Sequence, residues 1–416
     1  MDWRCERNTR AMLAWIVLGK RTRRMTQNLD VMTMPEFLEA RYGSDHLKMI
    51  SAVMIFVFLL PYSASVFKGL GHLFESTFKV SYDFALIVLV GITGLYLILG
   101  GYFAVTLTDF IQGIIMLAGA TAMVIVLVYK AGGPAEAVTN VAKNYAEHVP
   151  PETRPSLLTI GSLVFMTSFG TWGLPQMVQK FYAIKDEKVI GKATVITTIF
   201  SLIIGVAAYS AGSLSHVFFD LESVPRLDSG GINFDLIMPT LLANYLPEFL
   251  LAVIMLLVLS ASMSSLASMI LVSSSAITID LYKGYLNPDV SEKTSLILIR
   301  VLSGVFIICS YAISKMQVGF IVTLMSLSWG VLSGGFMAPY ILGIFWKRVT
   351  KAGAYAGLFT GAGLAILLFF VLGPENSPLA SSIAMIAPFI VVPLVSLVTP
   401  KMDGAIIETA FRKPQP

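Results

Sequence analysis

Residues 246–259 read LPEFLLAVIMLLVL, and residues 260–285 continue the run as SASMSSLASMILVSSSAITIDLYKGY. An apolar segment of this length is typical of a helix that crosses the hydrocarbon of a bilayer. Hydrocarbon offers no water to a hydroxyl group, so each serine in such a helix needs a partner. The segment therefore predicts a membrane-spanning helix whose serines require an explanation.

The rest of the chain has the same character. Hydrophobic residues make up 56% of the 416 residues and charged residues only 13%. Soluble globular domains carry about 25% charged residues, so the composition predicts an all-α polytopic membrane protein. The two cysteines, Cys5 and Cys309, give no basis for a disulfide framework or a cysteine metal site.

Ten apolar runs are long enough to span a bilayer, and polar residues or Gly and Pro bound each of them. They begin near Met49, Tyr82, Phe110, Leu157, Thr194, Leu246, Ser295, Gly319, Ala352 and Ser381. A shorter apolar stub precedes them at residues 11–19. We expect ten complete transmembrane helices and a partial N-terminal one.

The basic residues predict the orientation of these spans. Most of the 29 lysines and arginines lie in loops on one face, while the longest loops on the other face are residues 131–156 and 220–235. The positive-inside rule places the basic face and the C-terminus in the cytoplasm, with the protein in the cell membrane. The net charge of +4 is explained by these loops and gives no reason to expect a nucleic-acid partner.

The serines of residues 260–275 fall into two groups. On a helix of 3.6 residues per turn, Ala261, Ser264, Ser265, Ser268 and Ser275 lie on one stripe. Off the stripe, we expect the hydroxyls of Ser260, Ser262, Ser273 and Ser274 to bond to their own backbone beside close helix neighbours. For Ser264 and Ser265 that role competes with another, because neighbouring neutral oxygens suit a hard cation such as sodium.

Two charged residues lie within apolar runs. Asp109 opens the span at Phe110, so it either caps the helix or faces the bundle interior as an ion or coupling carboxylate. Lys68 lies inside the first long span, and we expect its side chain to snorkel outward to water rather than to bind an anionic substrate.

Two further segments combine Trp, Gly and Pro. Residues 167–181 read TSFGTWGLPQMVQKF, and their Gly170, Gly173 and Pro175 predict a broken helix. Broken helices at mid-membrane are where transporters bind their cargo. Residues 326–340, SLSWGVLSGGFMAPY, repeat this chemistry and either line a cavity or only kink and pack a helix.

These segments together resemble the sodium:solute symporter family, in particular its sodium/proline and sodium/pantothenate members. The resemblance rests on MPEFLEARYG (34–43), LFESTFKVSYDFAL (73–86), GGYFAVTLTDFIQ (100–112), GLPQMVQKFYA (173–183) and the serine-rich span, all in register. It implies an inverted-repeat, leucine-transporter-like fold that moves a small polar solute with sodium by alternating access.

The resemblance also implies roles for individual residues. The Ala261 carbonyl and the Ser264 and Ser265 hydroxyls match the family's sodium ligands. Asp109 and Ser268 match a second sodium or coupling site of some members, although Ala267 stands where those members have a serine. Residues that match the substrate cavity or its gate are Thr167, Thr171, Trp172 and, from the far repeat, Trp329, with Thr171 in place of the tyrosine of proline carriers.

Against the family pattern, residues 1–20 correspond to a partial second core helix. We therefore expect residues 1–416 to form a single transporter domain that lacks the first core helix. Two other functions remain open at this point. One is a non-transporting fragment of such a symporter, and the other is an intramembrane serine enzyme. All four histidines lie in loops or near span ends, where none is placed to activate a buried serine.

Overall fold

A computed structural model describes residues 15–412 except residues 183, 185–186, 221 and 228. The side chains of residues 96–109, 153 and 187–189 also lie outside the described set. The described chain is helical throughout, and its only strand-like pairing is an isolated bridge between Arg226 and Ile232.

The helices follow one another with short connections. A π-helix at Trp15–Gly19 leads into α1 (Lys20–Leu29), and the α-helices that follow are α2 (Met34–Tyr42), α3 (Asp45–Phe78), α4 (Tyr82–Lys130), α5 (Pro134–His148), α6 (Leu157–Phe169), α7 (Pro175–Tyr182), α8 (Glu187–Phe218), α9 (Phe234–Tyr245), α10 (Glu248–Ser275), α11 (Glu292–Lys315), α12 (Ile321–Phe345), α13 (Lys351–Leu372), α14 (Ser377–Ile386), α15 (Pro388–Val398) and α16 (Gly404–Ala410). Short 3₁₀ or π-helical segments lie at Pro151–Thr153, Gly170–Trp172, Ala276–Leu286 and Pro374–Asn376.

The expected membrane architecture is confirmed. Within the described residues, 9 helical segments are long and apolar enough to cross a bilayer. Nine of the ten predicted spans correspond to these segments, with starts shifted by a few residues. The tenth, predicted from Tyr82, begins as the apolar helical segment Tyr82–Leu95. It is joined to the span predicted from Phe110 in the single helix α4 (Tyr82–Lys130), so the separate helix start expected at Phe110 is not found.

The bundle is organised around α12 and α3. In the most apolar stretch of α12, 78% of the residues are buried, against 50% in α3 and 17% in α8. α12 contacts α3, α13 and α14, and α3 also contacts α9, α10 and α11. Spans such as α8 are therefore largely exposed at the outside of the bundle, while α12 and α3 form its centre.

Segments that the sequence marks only as loops contain short helices. α5 lies in the loop at residues 131–156, α9 follows the loop at residues 220–235, and α1 and α2 form the basic segment before α3. α2 begins with a capping box, in which the Thr33 hydroxyl accepts from the Glu36 amide while the Glu36 side chain accepts from Thr33. Gly43 ends the helix at φ 60°.

α1 and α2 are docked on the end of α12 by buried polar side chains. Arg41 donates from Nε to the Gly343 carbonyl at 3.0 Å, and the Tyr42 hydroxyl donates to the Pro339 carbonyl at 2.6 Å. Burial raises the pKa of Tyr42 to about 12 and lowers the pKa of Arg41 from its usual value. These bonds satisfy carbonyls near Pro339 and at the α12 terminus, so the basic segment is part of the packed bundle.

The expectation for Lys68 is wrong. Its side chain is buried, and Nζ lies 2.8 Å from Asp235 Oδ2 and 2.6 Å from the Gly319 carbonyl. α9, which carries Asp235, packs across α3 and brings a carboxylate to the ammonium group. Snorkelling is needed only where no partner lies within reach.

Candidate functional site

The predicted break in the helix at residues 167–181 is confirmed. α6 ends at Phe169, a 3₁₀ turn occupies Gly170–Trp172, and α7 begins at Pro175. Proline has no amide hydrogen and disfavours helical backbone in the residue before it, so it starts a helix more readily than it continues one. The break therefore interrupts the helical hydrogen bonds inside a membrane span.

The break is held against α12 by two glycines. A Cβ atom at Gly173 would lie 2.8 Å from Met337 Cβ and 2.9 Å from Ser333 Cα, and one at Gly170 would lie 2.8 Å from the Trp329 ring. The Ser333 hydroxyl donates to the Gly170 carbonyl. The structure thus places Trp329 beside the turn that contains Thr171 and Trp172.

The predicted substrate-lining residues differ in their bonding. The Thr167 hydroxyl donates to the Leu163 carbonyl at 2.8 Å, which leaves it no free hydrogen. The indole N–H groups of Trp172 and Trp329 are buried and have no hydrogen-bond partner among the described residues. A buried donor without a partner costs free energy unless a ligand or water satisfies it. The two indoles are therefore the available donors at the break.

Sequence reasoning did not select Gln176, which follows one turn later in α7. Its side chain is buried, and neither Nε2 nor Oε1 has a partner among the described residues. An amide beside a predicted helix break, in the motif GLPQ, was the signal available in the sequence. Gln176 adds both a donor and an acceptor to the polar groups near the break.

The stripe of α10 has the exposure expected of a site wall. Ala261, Ser264, Ser265 and Ser268 are only partly buried, whereas Leu266, Ala267, Met269 and Ile270 are buried. The hydroxyls of Ser264 and Ser265 have no partner among the described residues. Ser268 instead donates to the Ser264 carbonyl at 3.1 Å. Two neutral hydroxyls thus remain available, and oxygens of this kind fit a hard monovalent cation.

One serine off the stripe has the packing role expected of it. Ser274 is fully buried, donates to the Ile270 carbonyl at 2.6 Å, and lies 2.9 Å from the Ser303 hydroxyl on α11. Ser273 is also fully buried, but its hydroxyl has no partner in the described chain. Ser273 and Ser274 are therefore more buried than the stripe, whereas Ser260 and Ser262 are partly buried like the stripe itself.

The two groups of site residues belong to neighbouring elements. α7, the second half of the broken helix, contacts both α10 and the 3₁₀ turn. The structure therefore places the serine stripe on a helix that touches the broken span. Asp109, the predicted second-sodium or coupling carboxylate, lies outside the described residues.

A second missed residue lies where α10 continues as a π-helix. Asp280 is fully buried, its Oδ1 accepts from the Thr33 hydroxyl at 2.7 Å, and its Oδ2 has no partner in the described chain. Wide π-helical turns are frequent at functional positions in membrane and soluble helices. An acidic residue near the end of an apolar run was the signal in the sequence.

With this geometry established, comparison with known proteins identifies the family. The model of the sodium:solute symporter family matches residues 5–361. The chain belongs to the sodium:solute symporter family. Its curated relatives include the osmoregulated proline transporter OpuE of Bacillus subtilis (strain 168), 30% identical over 374 residues that cover 87% of this chain and 73% of the relative. A sodium/proline symporter of Staphylococcus aureus is 30% identical over a region that covers 97% of this chain and 80% of the relative.

Solved structures agree on the fold of this symporter. A Na⁺-coupled sialic acid symporter in a substrate-bound outward-open state superposes with a TM-score of 0.72 at 18% identity, covering 96% of this chain and 84% of the other. A nucleobase-cation-symport-1 family transporter gives a TM-score of 0.51 at 13% identity and covers 97% of this chain and 87% of its own. The symporter therefore has the leucine-transporter-like, inverted-repeat fold.

Proposed function

We propose that this protein is a secondary active transporter that moves a small polar organic solute together with sodium by alternating access. One observation carries the proposal: two unpartnered hydroxyls, Ser264 and Ser265, lie on a partly exposed helix stripe beside a broken membrane helix. A hydroxyl in a membrane span needs a partner, and on this partly exposed stripe a bound cation supplies one.

The sodium site consists of the Ala261 carbonyl and the hydroxyls of Ser264 and Ser265. These oxygens replace water around the ion without introducing a buried negative charge. One sodium ion entering through 100 mV gains ~2.3 kcal/mol, and a tenfold concentration gradient adds ~1.4 kcal/mol. Together they sustain roughly 500-fold accumulation of the solute. The alternative stoichiometry is two sodium ions, with the second bound by Asp109 and Ser268. Binding of the second ion breaks the hydrogen bond that the Ser268 hydroxyl donates to the Ser264 carbonyl.

The solute binds at the break, between Thr167, Thr171 and Trp172 on one side and Trp329 on the other. The free indole N–H groups donate to a carboxylate or carbonyl oxygen of the solute. Proline, the solute in the names of the curated relatives, is the first compound to test. The threonine at position 171 leaves more space than an aromatic residue, so pantothenate and other small carboxylates are tested beside it.

The basic segment lies at the cytoplasmic end of the bundle in this proposal. Arg41 binds the end of α12, and Asn28 of α1 donates to the Ala410 carbonyl of the C-terminal α16. These contacts hold α1, α2 and the C-terminal helix at one end of the bundle. By the positive-inside rule that end, with the C-terminus, faces the cytoplasm of the cell membrane. The opposite end of the bundle then faces the outside of the cell. It contains α9, the C-terminal end of α3 and the N-terminal end of α12.

Uptake of radiolabelled solute by proteoliposomes, with and without a sodium gradient, tests the proposal. Ser264→Ala and Ser265→Ala each raise the sodium concentration for half-maximal uptake by roughly tenfold, because each removes one ligand oxygen worth about 1–2 kcal/mol. Ser262→Ala, a neighbour off the stripe, serves as the control and leaves the sodium dependence unchanged. Uptake with unaltered sodium dependence in both stripe variants contradicts the site.

A further inference from the structure

The connection between α12 and α13 carries two adjacent cations. Both helices are long and apolar enough to cross a bilayer, and only residues 346–350, WKRVT, join them. A connection this short between two spans lies at the depth of the lipid headgroups. Residues 346–350, which contain Lys347 and Arg348, are called the basic loop below.

A third cation, Arg41, packs against the basic loop. Its Nη2 donates to the Trp346 carbonyl at 3.2 Å, and its Cζ lies 5.4 Å from the centre of the Phe411 ring. Lys347 Nζ lies 5.5 Å from the same ring centre. Carbonyls and aromatic rings carry only partial negative charge. Among the residues that the structure describes, no carboxylate lies within ion-pair distance of either cation.

Arg348 ties the basic loop to the end of α15. Its Nη2 donates to the Leu397 carbonyl at 3.3 Å and to the Thr399 carbonyl at 2.9 Å. A cation at a helix C-terminus is favourable, but this role uses only Nη2. Nη1 of Arg348 and Nη1 of Arg41 are both buried and have no hydrogen-bond partner in the described chain. A buried guanidinium group without an anion is costly, so both arginines lack a counter-charge.

An exposed apolar stripe on α15 leads to these cations. Ile390, Leu394 and Leu397 are each 61% exposed, and Val398 is 84% exposed. Their spacings of four, three and one residue place the four side chains on one face of the helix, over about 12 Å. The stripe ends at the carbonyl groups that Arg348 binds. Apolar surface of a membrane span and uncompensated positive charge are therefore adjacent.

We propose that the basic loop and the α15 stripe bind an anionic phospholipid, with the lipid phosphate beside Lys347 and Arg348 and an acyl chain along the stripe. Phosphate supplies the negative charge that the cations lack, and its oxygens suit the N–H groups of arginine. Free phosphate would supply the same charge but would leave the stripe without an occupant. The adjoining apolar and basic surfaces therefore favour a lipid. The lipid site is independent of the sodium coupling and of the solute proposed above.

Lipid binding to the purified, delipidated protein in detergent tests the site. Native mass spectrometry gives the dissociation constants of phosphatidylglycerol, which is anionic, and of phosphatidylcholine, which has no net charge. We expect the wild-type protein to bind phosphatidylglycerol at least about tenfold more tightly. Lys347→Gln and Arg348→Gln should each weaken phosphatidylglycerol binding about fivefold, the usual effect of one basic residue at a membrane surface, and leave phosphatidylcholine binding unchanged.

Lys293→Gln is the matched control. Lys293 is an exposed lysine in the first turn of α11, next to Glu292, and its substitution changes the net charge of the protein as much as either site variant does. We expect it to leave phosphatidylglycerol binding unchanged. Arg348 also binds carbonyl groups of α15, so Arg348→Gln is vulnerable to misfolding. If that variant is not recovered, Lys347→Gln decides the comparison with Lys293→Gln.

Leu394→Ala tests the acyl chain separately from the headgroup. It removes apolar surface from the stripe and should weaken binding of both lipids alike, because both carry acyl chains. Unchanged affinity for both lipids would overturn the position of the acyl chain.

Three results would overturn the lipid site. The first is equal affinity of the wild-type protein for the two lipids. The second is a loss in Lys293→Gln as large as that in Lys347→Gln, because net charge would then explain the binding. The third is displacement of phosphatidylglycerol by millimolar inorganic phosphate, which would assign the cations to a free anion. Failure of sodium-dependent uptake would contradict the proposed transport function alone, since lipid binding is measured without transport.

Discussion

At the scale of the residue, the structure assigns different surroundings to hydroxyls that look alike in the sequence. Ser274 and Ser268 donate to carbonyls of their own helix, whereas the hydroxyls of Ser264 and Ser265 have no partner among the residues that the structure describes. A hydroxyl bonded to its own backbone needs no ligand, and a free one in a membrane helix does. Bonding state, more than residue type, therefore separates a packing serine from a candidate ligand.

Ser274→Ala tests this distinction from the packing side. The substitution removes the Ser274 hydroxyl and with it the buried hydrogen bond at the contact of α10 with α11. The Ser303 hydroxyl keeps its own bond to the Ile299 carbonyl at 2.8 Å. We expect a cost of about 1 kcal/mol in the free energy of unfolding and no change in the sodium dependence of uptake. Thermal unfolding in detergent and the uptake assay measure the two. A shifted sodium dependence would place Ser274 in the ion site.

Thr33→Val tests the partner of Asp280. It removes the side-chain cap of α2 and the hydroxyl that donates to Asp280 Oδ1 at 2.7 Å. Loss of a cap costs about 1 kcal/mol and a stranded buried acceptor about 1–3 kcal/mol. We expect a clear drop in the unfolding temperature for Thr33→Val and near wild-type behaviour for Thr33→Ser, which retains both bonds. Equal stability of the two variants would contradict the assigned bond.

At the scale of the element, the broken helix and α12 form a single packing unit. The backbone of α12 lies against Gly173, the Trp329 ring of α12 lies against Gly170, and the Ser333 hydroxyl donates to the Gly170 carbonyl. The break therefore has two causes: Pro175 ends the regular hydrogen bonding, and close contact with α12 fixes where the chain turns. This contact brings Trp329 to the same position as Thr171 and Trp172.

Gly173→Ala tests the close approach. The new methyl group would lie 2.8 Å from Met337 Cβ and 2.9 Å from Ser333 Cα, so α7 or α12 must shift. We expect a loss of about 1–3 kcal/mol of stability together with reduced uptake.

Gly161→Ala in α6 is the matched control. It has no atom within 4 Å of the new Cβ and is exposed, so it should stabilise the helix by up to about 1 kcal/mol. Thermal unfolding of both variants gives the comparison. A neutral Gly173→Ala would mean that the two helices are not closely packed there.

At the scale of the whole molecule, the proposed sodium ligands on α10 and the proposed solute-lining residues of the broken helix lie on different elements that touch through α7. A ligand that binds preferentially to one arrangement of these helices raises the population of that arrangement. It thereby raises the affinity for any other ligand that prefers the same arrangement. Coupling of this kind needs two sites and two states, which the inverted-repeat fold provides.

Binding measurements on the purified protein test the coupling directly. Sodium should raise the affinity for the solute, and saturating solute should raise the affinity for sodium by the same factor, typically 5–150-fold. Scintillation proximity binding of the radiolabelled solute across a sodium series, and the reverse titration, give the two factors. Ser264→Ala should bring both closer to one, with Ser262→Ala as the unaffected comparison. Unequal factors at equilibrium would contradict a single coupled cycle.

The sequence by itself determined the membrane class, the positions of the spans and the break at residues 167–181. Each of these depends on local composition: apolar length sets a span, and Gly and Pro interrupt a helix wherever they stand. The stripe of Ala261, Ser264, Ser265 and Ser268 was predictable for the same reason, because helical periodicity is a local property.

Only the tertiary structure decided the partners of the isolated polar residues. Sequence spacing does not reveal that α9 brings Asp235 to Lys68, that Thr33 meets Asp280, or that Gln176 is buried without a partner. The free energy of a buried polar or charged group depends on what lies within about 4 Å of it. In this bundle those neighbours come from helices far apart in the chain, so their identity follows from the packing of the helices and not from local pattern.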